Sequence, residues 1–303
     1  HTVKTYANCF VLLVQFAADR LKRRPTDLEV EDLDTDMIMA FLDHVEIGRG
    51  SCVRTRNGRL AAIRSFFRYI EYRIPACLDQ ALRVRAIPTK KTDKALIDYL
   101  DRAEIKALLD TPDPRTRLGT RDRAMLHLTY AGGLRVSELV TLQLGDFPDR
   151  SLSTMHIMGK GRRERVLPLW KETQIALRAW LAIRPQVEVT EIFLNANGQP
   201  MTRDGFAFRL AEHVKTAATK QPSILGKRVT PHVLRHSCAM HTLAATGDIR
   251  KVALWLGHAS IQSTETYLRA DPEEKLQILA AHGAPAIKPG RFKPPSDALI
   301  TML

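Results

Sequence analysis

A polar stretch near residue 90 divides the hydrophobic pattern of this chain into two parts that must each build a core of their own. Residues 87–97 contain Pro88, three lysines and no periodic apolar positions, which is typical of an exposed linker. The chain has 303 residues, a length that suggests two domains. We therefore predict a first domain over residues 1–86, a linker over 87–97, a second domain over 98–282, and an irregular tail rich in Pro, Gly and Lys over 283–303.

The first part has the apolar spacing of a helical unit. Its third helix is expected to begin near Ser51 and to bury Leu60, Ile63 and Phe67. The opposite face is expected to carry a row of arginines, at positions 54, 56, 59, 64 and 68. Such a row is usually a solvated face, but few carboxylates lie nearby to pair with it. We therefore predict phosphate contacts for a subset of the row, namely Arg54, Arg56, Arg59 and Arg64.

The second part is predicted to be mostly helical as well. Helices are expected over residues 102–109 and 120–130, the latter capped by Thr120, and further helices follow to about residue 281. Residues 155–158 and 165–169 instead look like two strands around a Gly159-Lys160-Gly161 turn. The fold class is therefore mainly α with a small antiparallel β-sheet.

The charge balance points toward an anionic partner. Lys and Arg number 46 against 33 Asp and Glu, a formal net charge of +13. Nucleic acid is the commonest polyanion that a globular protein meets, although a basic surface without function is about equally compatible with composition alone. A hydrophobic fraction of 45% excludes global disorder.

Several classes of protein are excluded or disfavoured by other features. The longest apolar run, near residues 10–18, is too short to span a membrane, and it lacks the layout of a signal peptide. The four cysteines form no CxxC pair, which excludes a zinc ribbon and fits a reducing cytoplasm. The chain begins at His1 rather than Met, so a short preceding segment is expected in the natural protein.

A helix that opens at Thr230-Pro231 carries the first candidate site residues. His232 and Arg235 are three residues apart and therefore share a face. His236, four residues after His232, imitates a pair of metal ligands, but Val233 stands where the H-E-x-x-H pattern needs Glu. No carboxylate offers a convincing third ligand. We predict no metal site here, and we expect His236 to be a core or supporting residue.

Two further groups of residues, both containing basic side chains, are candidates for the same site. Arg135 follows the Gly132-Gly133 turn, and Glu138 lies one helical turn later, where it can hold the guanidinium. Lys160 lies at the tip of the predicted hairpin. A nucleotide-binding P-loop is excluded because Thr154 and Gly161 stand where the motif needs Gly and Ser or Thr. The neighbouring Arg162 and Arg163 suit a loop that contacts a phosphate backbone.

His258 follows the helix stop at Gly257. Neither this residue nor Tyr267 indicates a function by itself, but the ordered set of candidate residues resembles a known active site. The set is Arg135, Lys160, His232-x-x-Arg235, His258 and Tyr267, and it resembles the tyrosine recombinases of the phage integrase or Xer-like family. The short sequence motifs around these residues also match those of the family, and the likeness covers nearly the whole chain. It implies an N-terminal helical core-binding (SAM-like) domain and a C-terminal α+β catalytic domain.

The resemblance also implies a mechanism and a set of partners. Tyr267 would attack a DNA phosphate to form a 3′-phosphotyrosine, with Arg135 and Arg235 clamping the phosphate. Lys160 would protonate the leaving 5′ oxygen, His232 would assist as acid or base, and His258 would hydrogen-bond the phosphate. Neither metal nor other cofactor would be required. The expected partners are duplex DNA, four protomers on two paired sites, and accessory or directionality proteins, with the tail docking on a neighbouring protomer and no membrane contact.

Three alternatives remain beside this interpretation. A type IB topoisomerase would use a similar residue set without joining two sites, although the small helical first domain favours a recombinase. A DNA-binding protein with a vestigial site is disfavoured by the presence of all six residues. A metal-dependent nuclease is disfavoured because no cluster of Asp and Glu is apparent.

Overall fold

The computed structural model describes residues 2–92, 97–149, 151–159, 164–258 and 260–270. These residues are mostly helical, with one small β-sheet, as the sequence predicts. They divide into two compact units, and the division falls between residues 95 and 96. No helix among the described residues is both long enough and apolar enough to cross a bilayer. All four cysteines are free thiols.

The described residues of the first unit form four α-helices, joined by short 3-10 and π turns: α1 (Thr2–Leu21), α2 (Thr35–Asp43), α3 (Val53–Arg73) and α4 (Leu78–Ala86). Asp34 begins α2, since its carboxylate accepts a hydrogen bond from the Met37 amide at 2.7 Å. Leu13, Phe41 and Phe67, from three different helices, are almost completely buried in one core. The helices therefore hold together by burying their apolar faces against one another.

The arginines of α3 do not share one face, and the prediction that Arg56 is exposed is wrong. Arg56 is only 2% exposed, and its Nε lies 3.5 Å from Glu46 Oε2. The reason is helical geometry: Arg56 precedes Leu60 by four residues and Ile63 by seven, so it belongs to the buried face. Arg54 is exposed, while Arg59 and Arg64 are half-buried.

The first residues of the predicted linker are attached to this unit. Ile87 is buried, and its carbonyl accepts a hydrogen bond from the Arg64 guanidinium. The backbone of Lys90 exchanges two hydrogen bonds with the Asn57 side-chain amide, at 2.8 and 3.1 Å. Residues 87–92 thus have no helix or strand, yet their position is fixed by side chains of α3.

The second unit is built from eight helices and one hairpin within the described residues. The helices are α5 (Arg102–Leu109), α6 (Arg117–Ala131), α7 (Val136–Val140), α8 (Lys171–Ile183), α9 (Arg203–Lys220), α10 (Pro231–Thr246), α11 (Ile249–Leu256) and α12 (Glu265–Ala270). The strands β1 (Thr154–Met158) and β2 (Glu164–Pro168) pair antiparallel, with Ile157 opposite Arg165. This confirms the predicted pair of strands.

Helix α6 begins earlier than the sequence predicts. The cap is Thr116, whose hydroxyl accepts a hydrogen bond from the Gly119 amide at 3.0 Å, rather than Thr120. Further along α6, the buried Asp122 accepts hydrogen bonds from Arg209 Nε at 2.8 Å and contacts His213 Nε2 at 2.9 Å, both on α9. These polar contacts fix α6 against α9, and α6 leads directly into the turn before Arg135.

Candidate active site

The site begins at the N-terminus of α7, where Arg135 and Glu138 fold back on each other. Glu138 Oε2 accepts a hydrogen bond from the backbone amide of Arg135 at 3.0 Å, and Oε1 accepts one from Arg135 Nη1 at 2.6 Å. Glu138 is buried, whereas the Arg135 side chain keeps 28% of its surface exposed. The carboxylate therefore orients Arg135 as the sequence predicts, and leaves part of its guanidinium open to a ligand.

A second arginine, which the sequence analysis did not single out, shares the same carboxylate. Arg165, on β2, donates from Nη2 to Glu138 Oε2 at 2.9 Å and from Nη1 to Oε1 at 3.3 Å. Arg165 lies on the same side of the strand as the buried Leu167, two residues on. A charged residue at an inward-facing strand position is the signal that could have identified it.

Arg235, on α10, is the third guanidinium of the cluster. It donates from Nη1 to the Gly133 carbonyl and from Nη2 to the Leu256 carbonyl at 2.8 Å. Its Nη1 also lies 3.8 Å from Glu138 Oε2. Burial, helped by repulsion from Arg135, lowers the pKa of Arg235 to about 10, so this side chain remains cationic at neutral pH.

Two glycines allow these segments to approach closely. Gly133 has φ of +54°, and a Cβ there would lie 2.4 Å from Leu256 Cδ2. Gly257 has φ of +62°, and a Cβ there would lie 2.9 Å from Arg165 Cδ. A side chain at either position would strain the backbone, and the Leu256 or Arg165 side chain would have to shift to make room for it.

The net charge of the cluster follows from these contacts. Burial alone would raise the pKa of Glu138, but its hydrogen bonds with Arg165 and Arg135 outweigh that effect and hold the pKa below the usual range. One carboxylate thus faces three guanidinium groups, those of Arg135, Arg165 and Arg235. The positive charge in excess suits an anion with several oxygens, such as a phosphate.

His258 follows directly after Gly257, and its side chain contacts the residue that precedes α12. Its Nδ1 lies 2.7 Å from the hydroxyl of the buried Thr264. Burial, together with the positive charge of Arg235, lowers the pKa of His258 to about 4, so the ring is neutral at pH 7. A cavity of about 350 Å³ adjoins it, lined in part by Arg165, Arg250 and Gly257.

Tyr267, on α12, lies between two histidine rings. The ring of His258 is stacked against it, with centroids 6.4 Å apart and planes within 8°. On another side, the Tyr267 hydroxyl is 3.1 Å from Nδ1 of His236 on α10. Tyr267 is 2% exposed, and burial raises its pKa to about 12 although Arg235 acts in the opposite direction. The phenol is therefore fully protonated at neutral pH.

The structure does not bring every predicted catalytic residue into contact with Tyr267. His232 is exposed at the start of α10 and has no hydrogen bond to Tyr267 in the described part of the chain. Lys160, Arg162 and Arg163 lie outside the described residues. Arg135, Glu138, Arg235, His258 and Tyr267 belong to the site described above. No group of three or more His, Cys, Asp or Glu side chains that could hold a metal ion occurs within the described residues.

Comparisons with known proteins assign the chain to a family. The sequence model of the phage integrase family matches residues 98–274. The chain is 40% identical to y4rC of Sinorhizobium fredii (strain NBRC 101917 / NGR234), named as an integrase/recombinase, over 99% of this chain and 90% of that one. It is 34% identical to the tyrosine recombinase XerC of Myxococcus xanthus, over 92% and 90%.

The chain also resembles solved structures in its fold. The crystal structure of the XerH site-specific recombinase, bound to palindromic difH substrate in a post-cleavage complex, superposes with a TM-score of 0.69. The superposition covers 92% of this chain and 79% of that one, at 21% sequence identity.

Proposed function

The chain belongs to the phage integrase family and is a tyrosine-type site-specific recombinase, and from that premise we propose that it cuts and rejoins DNA through Tyr267. In this proposal the Tyr267 hydroxyl attacks a backbone phosphate and forms a covalent 3′-phosphotyrosine, releasing a 5′-hydroxyl. The bond energy of the phosphodiester is kept in the protein–DNA bond, so rejoining requires no ATP.

The observation that carries the proposal is the excess of guanidinium groups beside a tyrosine. A phosphodiester resists a nucleophile because its own oxygens are negative, so the charge that grows in the transition state has to be stabilised. Arg135 is partly exposed, and the five N–H donors of Arg235 are only partly used by its two carbonyl contacts. Both can therefore donate to non-bridging phosphate oxygens.

The remaining roles are assigned through the family resemblance. Lys160 would act as the general acid that protonates the 5′ oxygen as it leaves. His258, whose Nδ1 is engaged by Thr264, would use its other ring nitrogen toward the phosphate. His232 would assist as acid or base near the reacting groups, and Glu138 would orient the arginines. No cofactor takes part in this scheme.

The proposed partners follow from the same premise. Duplex DNA is the substrate, with Arg54, Arg59, Arg64, Arg162 and Arg163 proposed to contact its phosphates. Four protomers would hold two paired sites, residues 283–303 would dock on a neighbouring protomer, and accessory or directionality proteins would select the outcome. The proposed domain limits are residues 1–86 for the core-binding domain and residues 98–282 for the catalytic domain. The protein would act in the cytoplasm, at the nucleoid.

Substitution of the nucleophile tests the proposal directly. Tyr267→Phe removes the attacking oxygen and leaves the ring, so we expect the variant to bind DNA with unchanged affinity but to form no covalent adduct. The measurement is denaturing gel electrophoresis of the full chain with nicked substrates cut from DNA that flanks its own gene, which trap the adduct.

Tyr130 supplies a matched control, because it is also a nearly buried tyrosine whose hydroxyl contacts a histidine, His241 Nδ1 at 2.8 Å. Tyr130→Phe should keep the adduct. An adduct that persists in Tyr267→Phe and disappears in Tyr130→Phe would reject the proposed nucleophile.

Joining two separate sites, rather than only relaxing a supercoiled plasmid, distinguishes a recombinase from a topoisomerase.

A further inference from the structure

Thr264, the residue that directly precedes α12, is a buried polar residue to which the proposed mechanism gives no role. Its side chain is completely buried, and its hydroxyl oxygen lies 2.7 Å from Nδ1 of His258. Its backbone carbonyl accepts a hydrogen bond from the Tyr267 amide at 2.9 Å. One residue therefore contacts both the histidine that is assigned to the phosphate and the segment that carries the nucleophile.

No backbone carbonyl competes for the proton of the Thr264 hydroxyl among the described residues. Other threonine hydroxyls of the second unit, such as those of Thr129 and Thr242, donate to a carbonyl four residues earlier, at 2.7 and 2.8 Å. The Thr264 hydroxyl instead has Nδ1 of His258 as its only hydrogen-bond partner in the described part of the chain. Its proton is therefore available to the imidazole.

An anionic substrate decides which direction of this hydrogen bond is productive. Burial, together with the positive charge of Arg235, lowers the pKa of His258 to about 4, so at pH 7 the ring carries one proton on either Nδ1 or Nε2. If Nδ1 donates to Thr264, Nε2 presents a lone pair, which repels a phosphate oxygen. If Thr264 donates to Nδ1, the proton lies on Nε2, which can then donate to the phosphate.

We propose that Thr264 is a positioning residue of the cleavage reaction, whose hydroxyl donates to His258 Nδ1 and thereby keeps the ring proton on Nε2. The inference rests on the function proposed above, in which His258 hydrogen-bonds the phosphate. Because Thr264 is completely buried, it acts through His258 rather than on the DNA. The partner of one ring nitrogen commonly determines which nitrogen carries the proton and how the ring is oriented.

Two substitutions in the full chain separate the hydroxyl from the volume of the side chain. Thr264→Val keeps the shape and removes the donor, whereas Thr264→Ser keeps the donor and removes one methyl group. We expect Thr264→Val to slow single-turnover adduct formation at saturating DNA by about tenfold, because His258 loses a hydrogen bond at a buried position. Thr264→Ser should stay near the wild-type rate. A wild-type rate for Thr264→Val would overturn the proposal, and a slow Thr264→Ser beside it would show that Thr264 only fills space.

A second comparison shows whether the effect passes through His258. In a His258→Ala background, Thr264→Val should cause no further loss of rate, because the ring that the hydroxyl orients is absent. A further loss as large as the one in the wild-type background would mean that Thr264 acts by another route, and would overturn the proposal.

The tautomer of His258 can be measured without any reaction, by ¹⁵N NMR of the full chain labelled at its histidines. The His258 signals are those missing from His258→Ala. We expect a protonated Nε2 and an unprotonated Nδ1 in wild type and in Thr264→Ser, and a mixture of both tautomers in Thr264→Val. A proton on Nδ1 in wild type, or an unchanged tautomer in Thr264→Val, would overturn the proposal. Failure of the proposed function would look different, because wild type would form no adduct while the tautomer still responded to Thr264→Val.

Thr129→Val provides the matched control. Thr129 is also a completely buried threonine of the second unit, and its hydroxyl donates to the Met125 carbonyl at 2.7 Å. Among the described hydrogen bonds, this hydroxyl has none with His258 or Tyr267, so Thr129→Val should form adduct at the wild-type rate. Thermal unfolding of both valine variants measures any shared loss of stability, and an equal rate loss in Thr129→Val would overturn the assignment.

Discussion

At the scale of single residues, the carboxylate of Glu138 decides how much positive charge the site offers to a phosphate. Arg165 binds this carboxylate with two nitrogens, at 2.9 and 3.3 Å, and so shares its charge with Arg135. In Arg165→Met, only Arg135 and Arg235 would compensate the negative charge of Glu138. The positive electrostatic potential at the phosphate would therefore be lower. We expect cleavage at saturating DNA to slow roughly tenfold or more, since contacting residues couple by about 0.5–3 kcal/mol, while DNA affinity changes little.

Two further variants show whether this effect passes through Glu138. The double variant Arg165→Met with Glu138→Gln should lose less activity than the product of the single effects, because the second change removes the negative charge that the first leaves with two guanidinium groups instead of three. Arg178→Met is the control, because Arg178 is exposed on α8 and contacts only the Ser151 carbonyl among the hydrogen bonds described. Independent effects of the two substitutions would contradict the role of Arg165.

The sequence identified the site residues that belong to compact motifs and missed those defined by tertiary contact. Arg135, Glu138 and Arg235 were recognisable because each lies at or just after a helix start that a characteristic turn or cap marks. Arg165 pairs with Glu138 from 27 residues away, and His236 meets Tyr267 from 31 residues away. Nothing local determines such pairs. Only the inward-facing position of Arg165 on its strand gave a usable signal.

At the scale of elements, α3 separates arginines that hold the fold from arginines that can meet DNA. Arg56 is buried and pairs with Glu46, whereas Arg54 is exposed two residues before it. Arg56→Ala should destabilise the first unit by about 2–4 kcal/mol, as expected when one partner of a buried ion pair is removed. Arg54→Ala should leave stability within about 0.5 kcal/mol of wild type.

Thermal unfolding and gel-shift titrations check this contrast together. Arg54→Ala should weaken DNA binding and reduce the salt dependence by about one counterion, because it removes one of the proposed phosphate contacts. Unchanged stability of Arg56→Ala, together with weaker DNA binding, would mean that Arg56 leaves the core to contact DNA.

The same helix shows why the type of an element was easier to predict than its buried face. The apolar spacing predicted a helix from near residue 51, and the pair of strands was also predicted correctly. The faces of α3 were harder, because an arginine stem is long and apolar enough to be buried when its charge finds a partner. Arg56 has the spacing of a core residue, and only the position of Glu46 in the folded unit explains why a charge is tolerated there.

At the scale of the whole molecule, the excess of 13 positive charges and the arginine cluster serve different steps. The distributed charge attracts DNA, and its contribution weakens as salt rises because phosphate contacts release counterions. In the proposed mechanism the arginine cluster instead acts on the scissile phosphate, because three guanidinium groups, those of Arg135, Arg165 and Arg235, face a single carboxylate. Salt should therefore weaken DNA binding steeply while changing the cleavage rate of saturated complexes much less.

Cleavage by this chain should not depend on a metal ion. In many phosphoryl-transfer enzymes a divalent cation neutralises the charge that develops on the phosphate oxygens. Here the fixed guanidinium groups of Arg135 and Arg235 are placed to do this, with Arg165 balancing Glu138. Single-turnover cleavage at saturating DNA and moderate salt should therefore proceed at the same rate in excess EDTA as in Mg²⁺. Loss of cleavage in EDTA, restored by Mg²⁺ or Zn²⁺, would show that the arginines alone are insufficient, since chelation leaves their contacts intact.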